Sequence, residues 1–322
     1  MIATMNQEPA MAGDDGQVRL PINAVERETG VSKELLRMWE RRYGFPTPER
    51  DAQGDRIYAM AQVNRLRLLR RLIDQGFRPG KIIALPMAEL EQLLQARGKD
   101  RREDFPELEH ELIAMLKSDD TTRIRDYLGH QLIKLGLQRF ILDFLQHANV
   151  IVGDAWARGD IEVHEEHLFT EQVQSIVRHA IGGLNPATQA PRIMLTTPPE
   201  EGHTLGMLMV EALLRLDNID VVCYGAQMPV REVAQAALKN KMHIVAISFS
   251  ASCPATRAIE YLEELRFRLP LALDIWAGGA ALRSTRRSVE AVQFLHELSA
   301  LRQAVQAWQR THPTRLDTGR HS

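Results

Sequence analysis

The sequence predicts a multidomain α and α/β protein with an N-terminal winged helix-turn-helix, a central four-helix bundle and a C-terminal doubly wound parallel α/β domain of the flavodoxin or Rossmann kind. Three observations lead to this prediction. Two short amphipathic helices flank a glycine near the N-terminus, a helical pattern runs from residue 106 to residue 184, and short apolar runs alternate with helical stretches from residue 191 onward. A chain of 322 residues is long enough for several compact domains.

The charge of the chain is distributed unevenly. The formal net charge is −2, but residues 18–80 contain 13 Lys and Arg against 8 Asp and Glu, a local charge of +5 that leaves −7 for the rest. We therefore expect the first segment to bind an anion such as nucleic acid and the remainder to have a different task.

The cysteine content and the hydropathy exclude other classes. Cys223 and Cys253 are the two cysteines, too few for a disulfide framework or a thiolate zinc site. The sequence has no apolar run of about 18 residues that predicts a transmembrane helix, and its start lacks the pattern of a secretory signal. These features predict a cytoplasmic protein with no membrane partner.

Residues 21–43 predict two short helices joined by a turn. Gly30 supplies the turn, and Ser32 is a suitable N-cap for the second helix. Arg37 and Arg41 lie four residues apart on one face of that helix, which is the geometry of a helix-turn-helix that reads a major groove. A solvated basic face is the alternative for a lone basic helix.

The following residues complete an ordered set that favours DNA binding. GFPTPERDAQGDRIY predicts a loop or a small wing, AQVNRLRLLRRLIDQGF a strongly amphipathic helix with arginines on one side, and RPGKIIALPMAELEQLLQ a short helix pair. Residues 98–105, GKDRREDF, are charged and poor in apolar residues, and we expect them to be a linker.

Four helical stretches with short connections then predict an antiparallel bundle up to residue 186. In the last part, the apolar runs RIMLTT, IDVVCYG, HIVAISFS and LALDIWAGG alternate with helical patterns, and AVQF is a candidate fifth strand. This alternation predicts a parallel sheet with helices on both faces.

The segment PPEEGHTLGM follows the first of these strands, and ligands of doubly wound folds bind at the carboxyl ends of strands. His203 with Glu201 gives too few ligands for zinc, which takes three or four. A haem or a corrinoid already provides four equatorial nitrogens and needs only one histidine. Glu201 can hold the other ring nitrogen, and Gly206 lets a bulky ligand approach. A loop histidine without such a role is the alternative.

The N-terminal residues LLRMWERRYGFPTPERDAQGDRIYAMAQVNRLRLLRRLIDQGF closely resemble the winged-helix DNA-binding domain of the MerR family, and the resemblance covers about residues 19–90. Members bind double-stranded operator DNA as dimers and carry a sensor domain behind the DNA-binding domain. The resemblance leaves Trp39 and Tyr58 open between DNA contact and packing. It implies DNA contacts from six side chains: Arg37, Arg41, Arg42, Tyr43, Arg50 and Arg56.

Residues Glu201–Gly206 resemble the Asp-x-His-x-x-Gly motif of cobalamin-binding domains, with Glu in place of Asp as in cobalamin-dependent transcription factors. Further along the chain, Ser248-Phe249-Ser250 and Gly278-Gly279 match the serine and glycine stretches of those domains. The resemblance implies that His203 is the lower cobalt ligand. It also implies that the nucleotide tail of the cofactor runs beside Ser248, Ser250, Gly278 and Gly279.

Trp156, followed after nine residues by Glu166 and His167, resembles the helical cap of those regulators. The resemblance implies that Trp156 shields the upper axial group while Glu166 and His167 line its pocket. A core position for Trp156 and a solvated helix start for the other two are the alternatives. One departure concerns Ala157, where the best-known members have a histidine that takes the upper cobalt position after light.

The whole chain after residue 18 therefore resembles the CarH/LitR-like photoreceptor repressors. This implies a homo-oligomer, a dimer or tetramer, that holds operator DNA with adenosylcobalamin in the dark and dissociates in light; methylcobalamin is the alternative cofactor. A regulator without cofactor that responds to protein partners is the second hypothesis, and a corrinoid enzyme or methyl carrier the third. We expect no enzymatic activity.

The predicted boundaries follow from these assignments. They are a leader at 1–17, the winged helix-turn-helix domain at 18–97, the linker at 98–105, the bundle at 106–186, the cobalamin-binding α/β domain at 187–311 and a tail at 312–322.

Overall fold

The computed structural model describes residues 19–74, 77–102, 106–118, 120–185, 189–199, 201–250, 253–283, 285 and 287–312. The predicted leader and residues 313–322 of the predicted tail lie outside this part of the chain. The predicted linker differs from the structure, because a helix continues through residues 98–102. Its charged residues include Lys and Arg, which favour a helix almost as strongly as leucine does.

The first domain is a helix-turn-helix with a small antiparallel sheet. Gly30 ends the first helix with a φ of 64°, and the Ser32 side chain caps the second by accepting a hydrogen bond from the Leu35 N–H at 3.3 Å, which confirms both predicted roles. The strand order is β1-β3-β2, so the predicted wing is a hairpin of β2 and β3. The elements are β1 (Arg19–Pro21), α1 (Ile22–Thr29), α2 (Lys33–Tyr43), β2 (Glu49–Arg50), β3 (Arg56–Ala59), α3 (Met60–Asp74), α4 (Pro79–Ile82) and α5 (Met87–Arg102).

Four helices follow, as the sequence predicts. Gly136, with φ 72° and ψ 156°, interrupts the second of them, and Phe140–Leu145 form a π-helical segment before the third. Glu162 and Glu165 form a reciprocal capping box at the start of the fourth helix. The helices are α6 (Pro106–Leu116), α7 (Thr121–Arg139), α8 (Gln146–Arg158) and α9 (Val163–Gly182).

The last domain is a five-stranded parallel sheet in the order β5-β4-β6-β7-β8, and the fifth strand falls on the predicted AVQF run. The order reverses beside β4, so β4 and β6 flank a topological switch point. The elements are β4 (Gln189–Thr196), α10 (Leu205–Leu216), β5 (Ile219–Cys223), α11 (Val230–Lys239), β6 (Ile244–Ser248), α12 (Ala255–Arg268), β7 (Asp274–Gly278), β8 (Val292–Leu295) and α13 (Leu301–Thr311).

Three apolar cores hold these parts together, and two of them cross domain boundaries. One core continues from the bundle into the sheet face that carries α10 and α13, while α11 and α12 pack on the opposite face around a second core. The third core belongs to the winged-helix domain but includes Ala157 of α8, with Trp156 packed against it. The bundle therefore packs against both of its neighbours.

Candidate cofactor and DNA-binding sites

A cavity of about 480 Å³ lies between α8 and the carboxyl ends of the parallel strands. It opens at the switch point between β4 and β6, where doubly wound folds bind ligands. The wall from the α/β domain includes His203, Gly206, Ser248, Ser250, Gly278 and Gly279. The structure thus brings together six of the ten predicted cofactor residues around one space.

His203 is held in place by a buried carboxylate. Its Nδ1 lies 2.7 Å from Oε1 of Glu201, and its backbone N–H donates to the same oxygen at 2.9 Å. Because a carboxylate only accepts, the neutral ring carries its proton on Nδ1 and keeps its lone pair on Nε2. The His203 side chain is 67% exposed at the cavity wall, whereas that of Glu201 is 3% exposed. A metal-binding histidine has this form of support.

Ser250, two residues after the end of β6, completes the arrangement. Its backbone N–H and its hydroxyl donate to Oε2 of Glu201 at 3.0 and 2.6 Å. Both oxygens of Glu201 are therefore occupied, which fixes the carboxylate and through it the imidazole of His203.

These hydrogen bonds determine the ionisation of Glu201. Burial by itself would raise the pKa of this carboxyl, but hydrogen bonds from the side chains of His203 and Ser250, together with the His203 N–H, outweigh it and the pKa is lowered. The group is thus ionised at neutral pH and accepts the hydrogen bond from the His203 imidazole.

The predicted glycines differ in whether the surrounding protein leaves room for a side chain. A Cβ on Gly206 would meet only the Ser248 hydroxyl, at 3.5 Å, so packing of the protein does not exclude a larger residue there. In contrast, Gly279 has a φ of 110°, and a Cβ on it would lie 2.1 Å from the carbonyl oxygen of Phe249. A Cβ on Gly278 would lie 3.0 Å from the Leu295 carbonyl oxygen. Close approach of protein backbone explains the glycine pair without a ligand.

Among the described residues, the predicted cap residues Trp156, Glu166 and His167 do not line this cavity. Trp156 packs between the bundle core and the winged-helix core. Glu166 accepts a hydrogen bond from the Thr170 hydroxyl at 2.9 Å, and the His167 side chain is 70% exposed. Their predicted role above the cofactor requires a different position of the bundle and stays a prediction.

Sequence reasoning missed the residues of α8 that line the cavity instead. Gln146, His147, Val150 and Asp154 form this wall together with Asn149 and Ile151. Their spacing of three and four residues along a predicted helix was visible in the sequence. It gave no functional signal, because polar residues on a bundle helix ordinarily face solvent.

The predicted DNA-binding residues lie on the winged-helix domain. Arg37, Arg41 and Arg42 are exposed on α2, and Arg50 is exposed on β2 of the wing. Arg56 is half-buried and donates to Glu40 at 3.0 Å, while Tyr43 stacks under the guanidinium of Arg42 at 5.4 Å. Trp39 and Tyr58 are buried in the core, which supports the packing alternative for both. Burial, followed by the charge of Glu40, raises the pKa of Tyr58.

The donor set at the cavity suits a metal that brings its own ligands. Among the described residues no group of three or more His, Cys, Asp and Glu side chains is arranged to hold an ion. His203 offers one supported nitrogen, which fits an axial position of a macrocycle better than a zinc site.

Comparison with protein families gives the class of this protein. A model of MerR HTH family regulatory proteins matches residues 20–85, and two models of B12 binding domains match residues 108–181 and 191–295. The chain belongs to the MerR-type transcriptional regulators that carry B12-binding domains.

Two curated relatives belong to the same class. The HTH-type transcriptional repressor CarH of Myxococcus xanthus is 31% identical over 268 residues, which cover 82% of this chain and 89% of CarH. The repressor CarA of the same organism is 28% identical over 265 residues, covering 81% and 87% of the two chains. The predicted family and fold class are thereby confirmed.

A solved structure, the monomethylamine corrinoid protein of Methanosarcina barkeri, aligns with 62% of this chain and 96% of its own. Its identity is 15% and its TM-score 0.49, so it contributes nothing to the assignment of the site. No helix in the described ranges is long and apolar enough to cross a membrane.

Proposed function

We propose that this protein is a cytoplasmic repressor that binds operator DNA as a homo-oligomer and senses adenosylcobalamin and light. The observation that carries the proposal is the buried Glu201 carboxylate, which fixes the tautomer of His203 at the mouth of the cavity. The B12-binding domain models and the repressor relatives give the class, and this geometry supports the particular role.

His203 is proposed as the lower cobalt ligand through Nε2, with Glu201 and Ser250 as its support. A hydrogen bond from Nδ1 to an ionised carboxylate makes the imidazole a better donor to a metal. Ser248, Gly206 and the turn at Gly278-Gly279 shape the groove for the nucleotide tail. Adenosylcobalamin supplies a light-sensitive cobalt–carbon bond when it is bound; methylcobalamin is the alternative ligand of the same site.

Arg37 and Arg41 are proposed to enter the major groove, with Arg42, Tyr43, Arg50 and Arg56 positioning the domain on the DNA backbone. Exposed guanidinium groups on the second helix of a helix-turn-helix suit this role. We propose a regulatory rather than an enzymatic role, because the relatives that match most of the chain are repressors.

Ala157 bears on whether the light response is reversible. The residue has no ligating atom and is 2% exposed, in contact with the winged-helix core. Position 157 therefore cannot supply an upper ligand after illumination. We expect the response to be reversible, so that fresh adenosylcobalamin in the dark restores the original oligomer.

The experiment combines absorbance, size-exclusion chromatography and retention of operator DNA, with adenosylcobalamin in the dark and after illumination. We expect a bound corrinoid spectrum and a larger, DNA-bound species in the dark, and dissociation in light. His203→Ala should change the spectrum and weaken binding, whereas the control His130→Ala, at an exposed position of α7 outside the cavity wall, should leave both unchanged.

The outcomes separate the hypotheses. A wild-type protein that stays colourless contradicts the cofactor assignment and favours a regulator controlled by protein partners. A coloured protein with the same size and DNA retention in dark and light retains cobalamin sensing and rejects the light response.

A further inference from the structure

The winged-helix domain is attached to the bundle by an ion pair on the helix that lines the cofactor cavity. Arg71 of α3 donates from Nε to Oδ1 of Asp154 at 2.8 Å and from Nη2 to the Val150 carbonyl at 3.3 Å. The Asp154 side chain is 3% exposed, so this carboxylate is shielded from water. The guanidinium also lies against the backbone of α8, because a Cβ on Gly153 would approach it to 3.0 Å.

A second arginine, one helical turn earlier, extends this contact. Arg67 is 1% exposed, and its Nη2 lies 2.5 Å from a carboxylate oxygen of Glu28 and 3.2 Å from one of Glu162. Glu28 belongs to α1, whereas Glu162 caps the start of α9. Removal of one of these carboxylates by mutation would leave the buried guanidinium partly uncompensated, so the pairs favour one fixed arrangement of the two domains.

Trp156, which is predicted to cover the cofactor, lies in the same segment as the partners of these ion pairs. Trp156 and Ala157 pack against the winged-helix core, and the indole Nε1 of Trp156 is buried with no hydrogen-bond partner in the described structure. We name residues 150–162 the junction segment; it carries Trp156 and Ala157 together with Asp154, which binds Arg71, and Glu162, which binds Arg67.

The cavity of about 480 Å³ is bounded on one side by α8, so a ligand that fills it contacts this helix. Val150 and Asp154 belong both to the cavity wall and to the contact with Arg71. A ligand that moves α8 away from the sheet must therefore move the partners of Arg71.

We propose that the winged-helix domain and the corrinoid compete for the junction segment, and that the ion pairs of Arg67 and Arg71 hold the cofactor-free arrangement. The inference rests on the proposed function, since Trp156 can cover the cofactor only after it leaves the winged-helix core. Cofactor binding then releases the DNA-binding domain from the bundle. By linkage, releasing that domain by mutation increases the affinity for the cofactor.

The test measures the dissociation constant of adenosylcobalamin in the dark for two variants that weaken the contact differently. Arg71→Gln removes the charge, and Gly153→Ala displaces the Arg71 guanidinium while improving helix propensity, so the second variant keeps its fold. Neither residue lines the cavity. The control Arg268→Gln breaks an exposed pair with Glu264 on α12, far from the junction.

We expect both variants to bind roughly 5- to 100-fold more tightly than the wild type and the control to be unchanged. Hydrogen exchange of α3 should rise when the wild type binds the cofactor. Variants that bind as the wild type does, or more weakly, overturn the competition even when the wild type is coloured. A colourless wild type rejects the proposed function and the competition together.

Discussion

The two walls of the cofactor cavity are built differently. The wall from the α/β domain is fixed by contacts within that domain: Glu201 binds both His203 and Ser250, and backbone approach dictates Gly279. The wall from α8 is fixed from outside, because Asp154 is bound by an arginine of the DNA-binding domain. The wall from the α/β domain is preorganised for a ligand. The wall from α8 couples ligand binding to the contact with the DNA-binding domain.

This difference assigns separate tasks to the walls. A preorganised wall provides affinity, because no interaction has to be broken before the ligand binds. A wall that exchanges one set of contacts for another provides a response, since a ligand shifts an equilibrium only by its differential affinity for the two states. Substitutions on the two walls should therefore have effects of different kinds.

The largest effect is expected from Gly279→Ala. The new Cβ would lie 2.1 Å from the Phe249 carbonyl oxygen at a φ of 110°, so the free energy of unfolding should fall by about 3 to 5 kcal/mol without any ligand. Gly206→Ala is the matched control. It should change the free energy of unfolding by less than about 1 kcal/mol, because the new Cβ would meet only the Ser248 hydroxyl. Urea unfolding measures both, and equal losses would contradict the assignment of the fixed wall.

The next largest effect is on the affinity for adenosylcobalamin. Replacing one carboxylate of each wall by an amide should change this affinity in opposite directions. Glu201→Gln should weaken adenosylcobalamin binding by roughly 10- to 100-fold, because the support of the metal-binding imidazole is lost. Asp154→Asn should tighten binding, because it weakens the pair with Arg71. Absorbance titration in the dark measures both dissociation constants, and a change in the same direction for both variants would remove the distinction.

The smallest effect concerns pH. The pKa of Glu201 is lower in the folded protein than in the unfolded chain, where it has the ordinary value of about 4.5. Its ionised form therefore contributes stability fully above the unfolded value, and this contribution is lost as the pH falls through the folded value. The stability difference between wild type and Glu201→Gln should be constant from pH 7 to about pH 5 and shrink toward pH 3.

Urea unfolding over this pH range measures that difference. A difference that stays constant down to pH 3 would show that the carboxylate of Glu201 has no such role in the fixed wall.

The sequence by itself determined the order of helices and strands, the turn at Gly30, the cap at Ser32 and the pairing of Glu201 with His203. These features are local, because each depends on residues that are close together in the sequence. They are helical and strand periodicity, helix capping and the two-residue separation of Glu201 and His203. The sequence left Trp39 open between DNA contact and packing, because its burial depends on residues that are distant in the sequence.

Only the tertiary structure decided the rest, because the partners are far apart in the chain. Ser250 reaches Glu201 across 49 residues, and Arg71 reaches Asp154 across 83. The role of Gly279 depends on the carbonyl of Phe249, which directly follows β6. Such contacts exist only once parallel strands and packed helices bring their ends together. The tertiary structure therefore revealed that α8 belongs to the cavity and to the DNA-binding domain at once.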